Sequence, residues 1–348
     1  MHKLSSFLAG SVVHFMIHTG AGTAILLILL GAHASPSAAP QSYETPTEEI
    51  VVNQATGRVV IAVVKDAILI ATTENPIEVE TRPPTPVIIG SERIGIILGA
   101  VQWFSPSSQV ELARLDLELP HLRAQVVGVS PHLGQAKAGD EATDIEVIGQ
   151  GLLERLNKVA QGLHNKVDVP ADEPVAELIV ADYLTGYGPE VWQATYPMVQ
   201  EEQKGDYWDT RVLRPRYLQF WPPEKGQPRT LVEFDYPPEN APPSLLALLR
   251  QRDPRLERIS ASDEKMALVA TRLSDGESNK ILAVDATQFL RAALGAVTPP
   301  NVRQTMAIIR PESGMQWILA PPPEPKRLGL QSDRPPDAPT LAKPHPSP

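Results

Sequence analysis

Two pairs of apolar runs constrain this chain most. Arg58-Val-Val-Ile-Ala-Val-Val64 is followed by a polar Lys65-Asp66 break, and Ala67-Ile-Leu-Ile-Ala-Thr72 returns. A half-exposed strand alternates apolar and polar residues, so continuous runs like these predict strands covered on both faces. The two-residue break predicts a hairpin. A second pair follows the same plan: Val87-Ile88-Ile89, a Gly90-Ser91-Glu92 turn, then Arg93-Ile-Gly-Ile-Ile-Leu98. Pro83, Pro84 and Pro86 stiffen the approach and limit how early that strand can pair.

The period then changes. Ser105-Pro106-Ser107-Ser108 has the form of a helix cap, with Val110, Leu112, Leu115, Leu117 and Leu119 behind it and Pro120 as a stop. Ile145, Val147, Ile148, Leu152, Leu153, Leu156, Val159 and Leu163 mark a stronger helical face over 143–163. Between them, 126–141 reads as a loop. Strands are expected at 175–181, 190–195, 211–221 and 230–236, helices at 243–252, 261–273 and 284–295, and a closing hairpin at 305–310 and 314–319. Blocks of strands separated by blocks of helices argue for layers rather than alternating βαβ units. The expected class is α+β, with a sheet-on-sheet core and helices on both outer faces: a four-layer αββα sandwich. An aromatic-rich insertion at about 199–242 and disordered termini complete the expectation. Residues 183–236 hold 11 of the 18 aromatic residues.

The ends of the chain differ from its middle. Met1-His2-Lys3, the apolar Ala24–Leu30 and the small-x-small Ala32-His33-Ala34 fit a signal peptide over 1–34, with Ser37-Ala38-Ala39 as a second cleavage site. The same stretch left uncleaved would be a membrane anchor. Either way the remainder is exported. The chain has no cysteine, so no disulfide, thiol nucleophile or thiolate metal site is available. Export without cysteine fits a bacterial envelope, periplasmic or secreted. Residues 35–55 read as a linker. Ten of the 36 prolines fall within 321–348, which lacks aromatic residues and predicts an extended, polyproline-like tail. The domain is expected over 56–320. A net charge of −10 gives no general attraction to phosphate backbones, so nucleic acid is not an expected partner.

Over Arg58–Ala100 the chain resembles a proteasome-type subunit of the N-terminal nucleophile (Ntn) hydrolase superfamily. The strand, Lys-Asp turn and returning strand are similar to that family's opening, with Ala67 where its turn glycine stands. Val87–Ile89 and Ile94–Gly99 resemble its next strand pair. Glu177-Leu-Ile-Val-Ala-Asp182, Gly188-Pro189 and Trp192 resemble its central pair, and Met306–Arg310 with Gly314–Ile318 its closing hairpin. The resemblance implies the αββα fold and self-association into rings. It also implies an N-terminal threonine, freed by cleavage, whose own amine serves as base. Thr56 falls at that position and Gly99 at the oxyanion-hole position. The family's carboxylate falls at Thr73 and its lysine at Thr85, where Arg82 is the nearest cation. A guanidinium at another strand position does not replace that lysine. Residues 297–303 carry neither the supporting Asp nor the Ser-Gly.

Elsewhere the chemistry is sparse. His121, His132, His164 and His345 lack metal-ligand spacing, and neither G-x-S-x-G nor a phosphate-binding glycine loop occurs. No metal or cofactor is expected. Trp208, Arg211, Arg214, Tyr217 and Trp221 combine aromatic and guanidinium groups, a pairing enriched at binding surfaces. The same residues also serve as core filling. The expected function is therefore an exported, non-catalytic component for binding, scaffolding or assembly, with a second copy or another envelope protein as partner. The alternatives are an active threonine amidohydrolase or peptidase using Thr56, and a ligand-binding module using 207–221.

Overall fold

Strand β2 (Gly57–Val63) is buried at every residue, and β3 (Ile68–Glu74) at all but Glu74. They pair antiparallel from Val63↔Ile68 to Gly57↔Glu74, and Val64 N–H donates to Ala67 O (2.9 Å) at the turn. This computed structural model describes residues 51–74, 82–90, 93–105, 110–129, 141–160, 174–184, 188–204, 207–238 and 241–321. The signal segment 1–34, most of the linker and the tail 322–348 lie outside the described residues. The described residues all belong to one unit, Glu48–Pro348.

The described residues form an α+β fold with two antiparallel sheets. In the five-stranded sheet, β2 and β3 are flanked by β11 (Val232–Tyr236), β12 (Gln304–Arg310) and β13 (Gly314–Leu319), in the order β11-β2-β3-β12-β13. The eight-stranded sheet runs β1 (Val51–Ala55), β5 (Arg93–Ser105), β7 (Pro174–Leu184), β8 (Gly188–Lys204) and β10 (Arg216–Trp221). Strands β4 (Val87–Gly90) and β6 (Val110–Arg114) pair with β5, and β9 (Tyr207–Val212) pairs with β8. The described helices are α1 (Leu115–Val129), α2 (Glu141–Ala160), α3 (Leu245–Arg250), α4 (Pro254–Ser260), α5 (Glu264–Asp275) and α6 (Ala283–Val297). None is long and apolar enough to cross a membrane.

Alternate residues of the apolar runs enter different clusters. Val59, Ile61, Val63, Ile68 and Ile70 pack with Ile94, Ile96, Leu98, Ile179 and Val191 of the other sheet. Val60, Leu69 and Ala71 pack instead with Leu248, Val269, Phe289 and Leu290 of the helices between β11 and β12. A third cluster joins Ile97, Trp103, Leu178 and Tyr196 to Leu119, Ile148 and Leu152 of α1 and α2. Continuous apolar sequence is thus explained by two covered faces. Each fully buried Ile or Leu contributes about 2 kcal/mol. The hairpin tip is clamped as well: Lys65 N–H donates to Ile281 O (2.9 Å), and Ala283 N–H donates to the Asp66 carboxylate (2.8 Å) at the start of α6.

Several boundaries differ from the sequence expectation. Val51–Ala55, expected in the linker, is strand β1, held by antiparallel pairing to 99–104 of β5. The helix expected from Ser105 begins only at Leu115. Val110-Glu-Leu-Ala-Arg114 is instead β6, paired with β5, and Pro120 lies inside α1. The strand expected over 211–221 is split, with Leu213–Pro215 separating β9 from β10. The segment 199–242, expected as an insertion, supplies one strand to each sheet's principal order, β10 and β11. Phe220 and Phe234 meet edge to face there, ring centroids 4.9 Å apart at 76°.

Candidate functional site

The chain crosses from one sheet to the other at Thr56. Ala55 pairs with Gly99 in β5, and Gly57 pairs with both Glu74 and Tyr236 in the five-stranded sheet. Gly57 is required at this crossing. Its φ is +140°, and a Cβ there would run into the Thr73 carbonyl. Thr56 N–H donates to Arg82 O (3.0 Å), and Arg82 N–H donates to Gln54 O (2.9 Å). The Thr56 side chain is fully buried, and its hydroxyl has no hydrogen-bond partner among the described residues.

The other positions of the expected threonine site gather at the same end of the sheets. Thr73 pairs with Arg58 and Gln304 and is buried. Thr85 Oγ1 donates to Pro83 O (3.1 Å). Gly99 has φ +77° and pairs with Ala176 as well as Ala55. Its exposed-looking glycine face is covered: a Cβ there would lie 2.9 Å from Val175 O and 3.1 Å from Tyr236 Cζ. Thr72 and Thr305, side by side in β3 and β12, share a buried hydroxyl–hydroxyl bond of 2.8 Å. Beside them, the Glu74 carboxylate accepts from Arg303 Nε (3.0 Å). The chain therefore brings Thr56 next to the Ala55–Gly99 pair but covers Gly99 with the Tyr236 ring. Neither Thr73 nor Thr85 offers a charge to tune a nucleophile.

A charged group does sit close by, on the helix-facing side of β2. The buried Arg58 guanidinium donates to both Asp235 oxygens, at 2.7 and 3.2 Å, and to the carbonyls of Pro243 (3.0 Å) and Pro242. Glu233, two residues before Asp235, lies 4.0 Å from Arg58 and accepts from the N–H groups of Leu245 (2.7 Å) and Leu246 (2.9 Å). Burial pushes the Glu233 carboxyl above its ordinary value, opposed by those two N–H groups and by Arg58. The network fastens β2 and β11 to the start of α3, whose Ser244 side chain also accepts from Ala247 N–H (3.0 Å). The sequence held a signal for it: Val232-Glu-Phe-Asp-Tyr236 alternates, placing two acids on one face opposite the lone charge in Arg58–Val64.

Arg58, Asp235, Pro242 and Pro243 border a cleft of about 390 Å³ at the Gly57 end of the five-stranded sheet. Its walls are mainly apolar: Tyr236, Pro237, Pro242, Pro243, Leu294 and Val297 among them. Pro237, Pro242, Pro243 and Pro299 among the lining restrict the backbone around it.

A half-buried acid lies in the eight-stranded sheet. Glu177 in β7 accepts from Gln193 Nε2 of β8 (2.9 Å), and burial raises its carboxyl pKa against that bond.

The five residues expected at a binding surface do not share a face. Trp221 is buried in the cluster between the sheets, with the Arg229 guanidinium 5.7 Å above its ring. Tyr217 packs on the opposite face against α2, its hydroxyl donating to Glu146 O (3.3 Å). Arg211 and Arg214 are exposed, on β9 and in the link to β10. Trp208 is in β9, and its side chain lies outside the described residues. Compared by sequence, the chain matches no protein-family model and no curated protein.

Proposed function

We propose that this protein is an exported, non-catalytic component of a bacterial envelope, built on a four-layer αββα fold of the Ntn type and used for binding or assembly. One observation carries the loss of catalysis. Thr56 is buried at the crossing between the sheets, its N–H committed to Arg82 O and its hydroxyl sealed from solvent, with the uncharged Thr73 and Thr85 at the positions of the expected carboxylate and lysine. A threonine nucleophile needs a free α-amine and access for substrate. The covering of Gly99 by Tyr236 supports the same view, since an oxyanion hole must leave room for the reacting oxygen. The distribution of apolar residues into three clusters supports the layer order helix, sheet, sheet, helix.

Intact mass and N-terminal sequencing of the exported protein, before and after incubation with a threonine-reactive β-lactone, test the proposal. The expected N-terminus lies upstream of Val51, with no added mass. A chain that begins at Thr56 and gains one lactone equivalent would make the protein an active threonine hydrolase instead.

A further inference from the structure

We infer that the cleft beside Arg58 binds a small, neutral, predominantly apolar molecule. At about 390 Å³ it lies within the range of ligand pockets and offers the volume of about a dozen waters. Tyr236, Pro237, Pro242, Pro243 and Val297 form its walls, and Leu294 is buried against it. The prolines hold the backbone fixed, so little ordering is needed when a ligand enters.

The class of ligand follows from the charges. Four ionic side chains line the cleft, and each already has a protein partner. Arg58 is engaged by Asp235 through both oxygens and by two carbonyls. Glu74 is paired with Arg303, and Arg255 with Asp253, whose carboxylate it meets at 2.9 Å through both Nε and Nη2. A charged ligand would lose hydration and find no counter-charge without breaking one of these pairs. A neutral apolar one displaces water from apolar walls and leaves every pair intact. The inference deepens the proposal of a binding component by giving that component a site.

The test uses the full chain and Nile red, a neutral solvatochromic dye, beside 1-anilinonaphthalene-8-sulfonate as its anionic counterpart. Nile red is expected to bind with one site and an affinity that salt does not change. Ala241→Trp, exposed at the cleft, is expected to weaken it at least tenfold while circular dichroism and thermal midpoint stay at parental values, and Val297→Trp, half-buried where the cleft meets the helix cluster, is expected to weaken it likewise. If one variant fails to fold, the other carries the comparison. The inference falls if Nile red does not bind, if both folded variants bind it like the parent, or if the sulfonate binds tighter and loses affinity with salt. None of these outcomes alters the mass test at Thr56, so failure here and failure of the non-catalytic proposal are separable.

Discussion

The ring of Tyr236 lies on the backbone of Gly99: a methyl group added at Gly99 would sit 3.1 Å from Tyr236 Cζ and 3.2 Å from its hydroxyl oxygen. Tyr236 belongs to the five-stranded sheet and Gly99 to the eight-stranded one. Their contact closes the end of the space between the sheets, beside the crossing at Thr56.

Gly99→Ala meets two obstacles at once. The φ of +77° disfavours a side chain, and the Cβ would press on Val175 O at 2.9 Å. The expected loss is about 1–3 kcal/mol, read as a lower urea midpoint. Truncating Tyr236 as well removes only the ring contact. The double variant Gly99→Ala/Tyr236→Ala should therefore not regain parental stability.

Thr56→Val should be harmless. The Thr56 hydroxyl is buried without a partner among the described residues, so exchanging it for a methyl group removes an unsatisfied polar atom at nearly constant volume. The expected change is between zero and a gain of about 1 kcal/mol in unfolding free energy. A loss above about 1 kcal/mol in denaturant titration would show that the hydroxyl has a stabilising partner.

Asp235→Ala should be severe. It leaves the buried Arg58 guanidinium without its bidentate acceptor. Breaking a buried pair from one side costs about 3–5 kcal/mol. Replacing both partners, as Arg58→Met/Asp235→Leu, should recover part of that loss, because no charge is then stranded. Denaturant unfolding of the two variants reads the difference.

Glu177 sets a pH dependence whose sign is fixed by burial. Its folded pKa is raised above the ordinary 4.5, so between that value and the raised one the folded state holds more protons than the unfolded chain. Its contribution therefore weakens stability as pH rises through this window and is least unfavourable at low pH. Glu177→Gln should be more stable than the parent at pH 7 to 8, with the advantage shrinking as pH falls towards 4.5. An advantage that grows on acidification would overturn the assignment. Glu233, also raised, contributes with the same sign and stays constant between the two proteins.

Much of the architecture was legible in the residues. The runs 58–64 and 67–72 announced a hairpin with two covered faces, and their alternate residues do enter separate clusters. The closing hairpin and the last helix were legible for the same reason, since a periodic apolar pattern of sufficient length admits few other structures. Val51–Ala55 was not. Its polar Asn53 and Gln54 hide a strand whose existence depends on a partner, β5, whose paired residues lie 44 to 53 positions further along. The segment 110–114 was misread as helix because a short alternation of apolar residues is ambiguous until β5 provides its hydrogen bonds.

By itself, then, the sequence determined which residues must be buried and where the chain turns, because these follow from local composition and period. Only the tertiary structure decided that Thr56 is a sealed crossing between sheets, that Tyr236 covers Gly99, and that Arg58 finds Asp235 beside a cleft. The last two join residues 137 and 177 positions apart in the sequence, and the first depends on several strands at once. Such pairings are fixed by register and packing, which no short stretch of sequence encodes.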